Sequence, residues 1–349
     1  MFSNLALPIL LAIFAAAAGV VWRAGDSLAN TTDVLDDHFG LGQALGGLVL
    51  LAVATNLPEI AITVSAALNG QFDIAVGNIL GGIAIQTAVL AILDAVGMRG
   101  GRPLTARLTT LIPLLEAVGV VAVLILAIMA TRLPPTLQLL RLTPGAVAIA
   151  VTWLLSLWLI NKARTALPWQ LKNPAADKEA KKPSGNDEQA TMSTGRAIGG
   201  FVLAAGLTLV AGAVLEQAGE AIAQSIGMTG VLFGSTVLAA ATALPELSTG
   251  LTAVRAGSYE LAVSDIFGGN AFLPVLFLVA ELIGGQAILP HAHNSDIYLA
   301  GLGILLTTVY MVGLLFHSRK RPLHMGSDSL VVVILYIVGI VGLVFVPGG

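Results

Sequence analysis

The sequence predicts an all-α polytopic membrane protein whose ten transmembrane helices form two inverted five-helix repeats, with the second and seventh helices broken. Composition, the distribution of basic residues and an internal repeat carry this expectation. Of 349 residues, 56% are hydrophobic and 11% charged, whereas soluble domains carry about 25% charged residues. Mean hydropathy is +0.90. A hydrocarbon core roughly 30 Å thick takes about 20 apolar residues per helical span, so the chain has room for ten spans and short connections. This composition excludes a water-soluble domain. The absence of cysteine excludes disulfides, thiolate metal sites and cysteine nucleophiles. A net charge of -3 gives a nucleic-acid partner no support.

Apolar runs broken by Gly, Pro and charge place the first five spans near residues 5–25, 41–68, 72–96, 109–130 and 143–162. The first begins without the positive n-region of a secretory signal and reads as a span. Residues 163–195 form a polar linker rich in Lys, Asp, Glu, Pro and Gly, too short to bury a core of its own. Five more spans follow near 196–216, 229–255, 259–284, 297–317 and 328–346. The chain therefore divides into a first repeat (1–162), the linker (163–195) and a second repeat (196–349).

Short loops rich in Lys and Arg stay on the cytoplasmic side. With ten spans, one side receives Arg23, then Arg99, Arg102 and Arg107, then the seven cations from Lys162 to Arg196, then Arg255, and finally Arg319, Lys320 and Arg321. Only Arg132 and Arg141 fall on the other side. The expected arrangement is a multi-pass protein of the cytoplasmic membrane, with both termini outside and the linker in the cytoplasm.

The repeat is offset by 187 residues. Leu51-Ala-Val-Ala-Thr-Asn-Leu-Pro-Glu59 returns as Leu238-Ala-Ala-Ala-Thr-Ala-Leu-Pro-Glu246, and positions 51–83 share fourteen identities with 238–270. Five spans per half is an odd number, so the second half must enter the membrane from the opposite side. Such inverted repeats belong to secondary transporters, whose sites lie near the midplane where discontinuous helices meet.

Each half places Pro-Glu inside an apolar span, at Pro58-Glu59 and Pro245-Glu246. Proline removes a backbone donor and suits the first turn of a restarted helix, so both spans should break there. Carbonyls freed at this depth need partners, and a cation is one. A capping role for Glu59, through Asn56-x-x-Glu59, is weakened by the second copy, where Ala243 has no side-chain acceptor yet Glu246 is retained. A carboxylate at membrane depth costs about 2.5–3.5 kcal/mol on insertion scales, so two at related positions indicate function. Brought together they repel unless a cation lies between them. Carboxylate, carbonyl and hydroxyl oxygens, the last from Thr55 and Thr242, are hard ligands suited to Ca2+. All five histidines fall outside the repeat motifs.

Asn78 and Asp265 follow each Glu by nineteen residues, where antiparallel packing returns them toward the breaks. Asn78 is divided between interhelical hydrogen bonding and ligation, whereas Asp265, an acid within an apolar helix, favours function. Glu116, Glu216 and Glu220 are candidates to line an access path. Asp94 and Glu281, at span ends, are expected to face water.

At these residues the chain resembles the calcium/cation antiporter superfamily, and most of all its prokaryotic sodium/calcium exchanger branch. The Gly-Thr-Ser-Leu-Pro-Glu signature of that family appears as Ala54-Thr55-Asn56-Leu57-Pro58-Glu59 and Ala241-Thr242-Ala243-Leu244-Pro245-Glu246. Its later Gly-Asn-x-x-Gly-Ser-Asn signature appears as Gly77-Asn78-Ile79-Leu80-Gly81-Gly82-Ile83 and Ser264-Asp265-Ile266-Phe267-Gly268-Gly269-Asn270. The resemblance implies Glu59 and Glu246 as central calcium ligands, oxygen from Thr55 and Thr242 for calcium and flanking sodium sites, and first and sixth helices that slide against the core. The chain departs from the family around sodium: Asn56, Ala243, Gly82 and Gly269 replace serines, and Gln86 and Leu273 occupy two further polar positions. Asn56 and Gln86 remain as side-chain ligands on that flank, and Asp265 is placed to replace the acid lost at Leu273.

The expected activity is secondary-active antiport of Ca2+, or a similar divalent cation, against Na+ or H+ by alternating access. The competing readings are proton-coupled transport of another cation on the same scaffold, and a channel or transport-inactive membrane protein. Inorganic cations and the lipid bilayer are the expected partners, with no resident cofactor. No phosphate loop, nucleophile elbow or metalloprotease helix points to an enzyme.

Overall fold

In the computed structural model, residue 2 and residues 5–39, 47–98, 102–138, 141–166, 193–317 and 321–347 are described. Residues 167–192 of the 163–195 linker lie outside them. Helix dominates, because apolar runs without nearby polar partners satisfy their backbone only by internal hydrogen bonds.

The first half contains α1 (Leu7–Phe39), α2 (Gly47–Thr55), α3 (Leu57–Asn69), α4 (Phe72–Ile92, continued by a π turn, Leu93–Gly97), α5 (Ile112–Ala130) and α6 (Pro144–Ala166). The second contains α7 (Thr194–Ile226), α8 (Gly230–Phe233, continued by a π turn, Gly234–Leu238), α9 (Ala239–Thr242), α10 (Leu244–Ala256), α11 (Tyr259–Phe272), α12 (Leu276–Gly284), α13 (Asn294–Phe316) and α14 (Ser327–Leu343). Helix boundaries repeat at the sequence offset: α1 and α7 each run 33 residues and α3 and α10 each run 13. The repeat-related Gly70 (φ 72°) and Gly257 (φ 86°) close α3 and α10 in the left-handed region, where a side chain would be strained.

Among the described residues, seven helices are long and apolar enough to cross a membrane, or eight if the pair bent by 46° at Ala243 is one span. Leu57–Asn69 and Ser327–Leu343 are apolar but shorter. The chain is thus a multi-pass membrane protein. Large apolar side chains such as Val202, Val210 and Phe316 cover its outside, as a lipid-facing surface requires.

Two spans are longer than their apolar runs. α1 was expected to end near residue 25 and α7 near 216, but both continue with buried residues, including Thr31 and Thr32 in α1 and Ala218, Ile222 and Ala223 in α7. Asp94 and Glu281, expected to face water, are 1% and 0% exposed. Each gathers backbone donors that its incoming loop leaves unpaired. Asp94 accepts from the amides of Leu104 (2.9 Å) and Gly326 (2.6 Å) and the Ser329 hydroxyl (2.8 Å). Its repeat mate Glu281 accepts from the Thr143 amide (2.9 Å), the Thr143 hydroxyl (2.9 Å) and the Ile288 amide (3.3 Å). Trp153 packs on Phe272 with ring centroids 5.4 Å apart.

α4 and the α11–α12 segment lie at the centre. In their most apolar stretches 78% and 61% of residues are buried, against 22% in α1 and 28% in α7. α4 crosses the π turn of the second half so closely that a Cβ on Gly81 would lie 2.3 Å from Ser235 Cα. That crossing brings α4 side chains to both helix breaks.

Candidate cation site

Both breaks occur where expected. Pro58 cannot donate to the Ala54 carbonyl, nor Pro245 to that of Ala241. Helices restart with proline in the first turn, after Asn56 on one side and Ala243 on the other. Asn56 does not cap the new helix; its Nδ2 donates backward to the Ala52 carbonyl at 2.6 Å. Glu59 is therefore no part of a capping box.

Glu59 and Glu246 meet on one amide. Gln86 Nε2, from α4, lies 3.3 Å from Glu59 Oε1, 3.3 Å from Glu246 Oε1 and 3.4 Å from Asn56 Oδ1. All four residues are 0% exposed. Thr242 stands against Glu59, and Thr55 against Glu246, so each carboxylate faces a hydroxyl of the opposite half. Asp265 adjoins Glu246, with Thr55 donating to its Oδ1 at 3.3 Å and Thr249 to its Oδ2 at 2.9 Å. Among the described residues, no basic side chain pairs with any of the three acids.

Among the described residues, Glu59 Oε2, Glu246 Oε2 and Gln86 Oε1 have no hydrogen-bond partner. Buried acceptors are rarely left so, and isolated buried carboxylates are costly. A hard cation held by these oxygens would satisfy them and balance the charge. The donor set is mixed: among the described residues, no three His, Cys, Asp or Glu converge as a metal cluster. Two carboxylates, amide oxygen and hydroxyls make up the site instead.

Asn78, the repeat mate of Asp265, is 0% exposed, and neither of its amide atoms has a hydrogen-bond partner among the described residues. Its backbone sits at the crossing with Gly234. The sequence reading overlooked Thr249 and a pair joining α11 to α4, in which Asn270 Nδ2 donates to Thr87 Oγ1 at 3.0 Å. Asn270 closes the later signature motif and was findable there; Thr249 repeats Ile62 and carried no such signal.

Asn56 also accounts for the glycine opposite it. A Cβ on Gly269 would lie 2.5 Å from Asn56 Nδ2, so the asparagine fills the space a serine at 269 would need. Overpacking of this kind costs roughly 1–3 kcal/mol, so Gly269→Ser alone should lower thermal stability by that amount. Adding Asn56→Ser should recover most of the loss. Melting curves of the two single variants and the double variant check this, and additive losses would contradict it.

Comparison with known proteins decides the family. The family described as sodium/calcium exchanger protein matches residues 9–161 and 196–345. The chain belongs to the sodium/calcium exchanger family. Among curated relatives of this exchanger-family chain, it is similar to inner membrane protein YrbG of Escherichia coli (strain K12), with 28% identity over 308 residues and 87% of each chain covered. It is likewise similar to the putative antiporter CaxA of Alkalimonas amylolytica, with 27% identity, 83% of this chain and 86% of that one covered. Two solved structures share the fold. The sodium-calcium exchanger NCX_Mj has a TM-score of 0.60 at 15% identity, covering 96% of this chain and 99% of that one. The H+/Ca2+ exchanger CAX has a TM-score of 0.61 at 12% identity, covering 96% and 87%.

Proposed function

We propose that this exchanger-family chain is a secondary-active antiporter that moves Ca2+, or a similar divalent cation, across the cytoplasmic membrane against Na+ or H+ by alternating access. The observation that carries the proposal is the convergence of the buried Glu59 and Glu246 on the buried Gln86, with no paired basic residue among the described residues. Two carboxylates from opposite halves match the charge of one divalent cation or two monovalent ones. Exchange follows if the two kinds of cation use the same oxygens in turn, and never together.

In this reading the broken pairs α2–α3 and α9–α10 are each one span and α14 is the tenth, giving two inverted five-span halves. The matched lengths of α1 and α7 and of α3 and α10 support it. The segregated cations support termini outside and a cytoplasmic linker. The relative named as an inner membrane protein supports placement in that membrane.

Glu59, Glu246, Gln86 Oε1, Thr55 and Thr242 would contact the divalent cation, with Asn56, Asn78 and Asp265 on its flanks. Protons are favoured as counter-ion by one observation: beside Gly269 stands the Asn56 Nδ2, a hydrogen-bond donor where sodium needs oxygen. The test is Ca2+ uptake by vesicles containing purified protein under imposed gradients. An outward H+ or Na+ gradient should raise saturable uptake about tenfold or more, a difference of some 1.4 kcal/mol in barrier. Flux driven by neither gradient, or current needing no counter-gradient, would overturn the proposal.

A further inference from the structure

α1 and α7 pack on each other and on the broken helices, outside the large hydrophobic core. Among the described residues, the large hydrophobic core contains nothing from either helix. Their buried residues, including Leu10, Val21, Leu215 and Ile222, join a second cluster that also takes in Ile62, Ile74, Phe233, Leu238 and Ala241. At the helix breaks, two close contacts of α1 and α7 are related by the repeat. Gly25 of α1 rides on Pro245, where a Cβ would lie 2.8 Å from the proline Cα. Its repeat mate Gly212 of α7 rides on Pro58 and Ala61, with a Cβ 2.8 Å from Ala61 Cβ and 2.9 Å from the Pro58 carbonyl.

Beside each glycine stands an acid that receives a hydroxyl from the same arm. Ser248 Oγ donates to Asp26 Oδ1. Ser65 Oγ donates to Glu216 Oε2 at 2.9 Å, and Glu216 is 0% exposed. Ser248 lies two residues beyond Glu246, and Ser65 six beyond Glu59, on the helices that present those carboxylates. Each contact therefore ties a helix of one half to the glutamate-bearing arm of the other. Glycine on proline offers no directional bond and fixes no position along the helix; the acid–serine bonds do.

We propose that Asp26 and Glu216 are positioning residues of the transport cycle: through Ser248 and Ser65 they register the α1/α7 pair on the arms that carry Glu246 and Glu59. The inference rests on the alternating-access reading above, but its test does not require transport.

The chain has no cysteine, so a single one can be introduced without removing others. Ala61, 8% exposed beneath Gly212, reports whether α7 has left its arm. In an Ala61→Cys background, Glu216→Ala or Ser65→Ala should raise labelling by a membrane-impermeant maleimide about tenfold, while Glu216→Gln, which keeps an acceptor, should restore the slow rate. In vesicles, Asp26→Ala and Glu216→Ala should cut the maximal exchange rate about tenfold and shift the half-saturating Ca2+ concentration less than about threefold, with Asp26→Asn and Glu216→Gln restoring turnover. A general loss of folding would not be rescued by the amides. Unchanged labelling in both Glu216→Ala and Ser65→Ala overturns the inference. Wild-type vesicles without exchange would overturn the antiport reading alone, and labelling would still decide the registration.

Discussion

Glu59→Gln and Glu246→Gln should each reduce counter-ion-driven Ca2+ flux by about 100-fold or more, some 2.7 kcal/mol at the barrier. The two glutamates are fully buried and share one amide, so neither can be replaced by a neighbour. The same variants should lose the thermal stabilisation that Ca2+ gives the wild type, because a ligand stabilises only the state it binds. Without Ca2+, both variants should melt at the wild-type temperature or above it. The wild type then holds repelling carboxylates with unpartnered oxygens, and a neutral amide relieves that cost. This opposite response separates loss of a ligand from loss of the fold. Wild-type flux in Glu59→Gln would remove the site from the transport path.

Asp265→Asn should leave the divalent centre and uncouple it. A divalent cation between Glu59 and Glu246 would balance those two charges and leave Asp265 beside Glu246, held by the Thr55 and Thr249 hydroxyls and, among the described residues, by no basic side chain. A third buried charge calls for a monovalent cation or a proton. The first half carries Asn78 at the same repeat position, so the two flanks differ by one charge. Asp265→Asn makes them alike. Ca2+-induced stabilisation should survive with affinity changed less than about threefold, while the acceleration of uptake by a monovalent gradient falls about tenfold or more. Titrating Ca2+ in melts and varying the gradient in vesicles measures the two effects separately. Loss of Ca2+ binding together with gradient dependence would place Asp265 in the divalent centre itself.

The sequence made the site legible where two signals coincided. Pro58-Glu59 and Pro245-Glu246 combine a backbone break, which depends only on proline chemistry, with a charge that a bilayer tolerates poorly. Both properties are local, and the repeat doubled them. Gln86 was legible as a ligand candidate by position, but its bridge between the glutamates depends on how α4 crosses the breaks. Thr249 is one of many hydroxyls in apolar helices, and only tertiary packing singles it out. Asp94 and Glu281 were misread for a definable reason: charge at the end of an apolar run usually meets water, whereas these two meet loop amides. The lengths of α1 and α7 escaped because hydropathy ends before the helix does, while residues beyond it, such as Thr31, Thr32, Ala221 and Ile222, are still buried.

The glycine-on-proline contacts bear on the history of the chain. Gly25 comes from one copy of the repeat and Pro245 from the other; Gly212 and Pro58 reverse the loan. Neither copy carries both partners of a contact in its own sequence, so neither half alone can rebuild the surface around its own break. Bulk added to a long helix in one copy would therefore be felt as a displaced arm in the other.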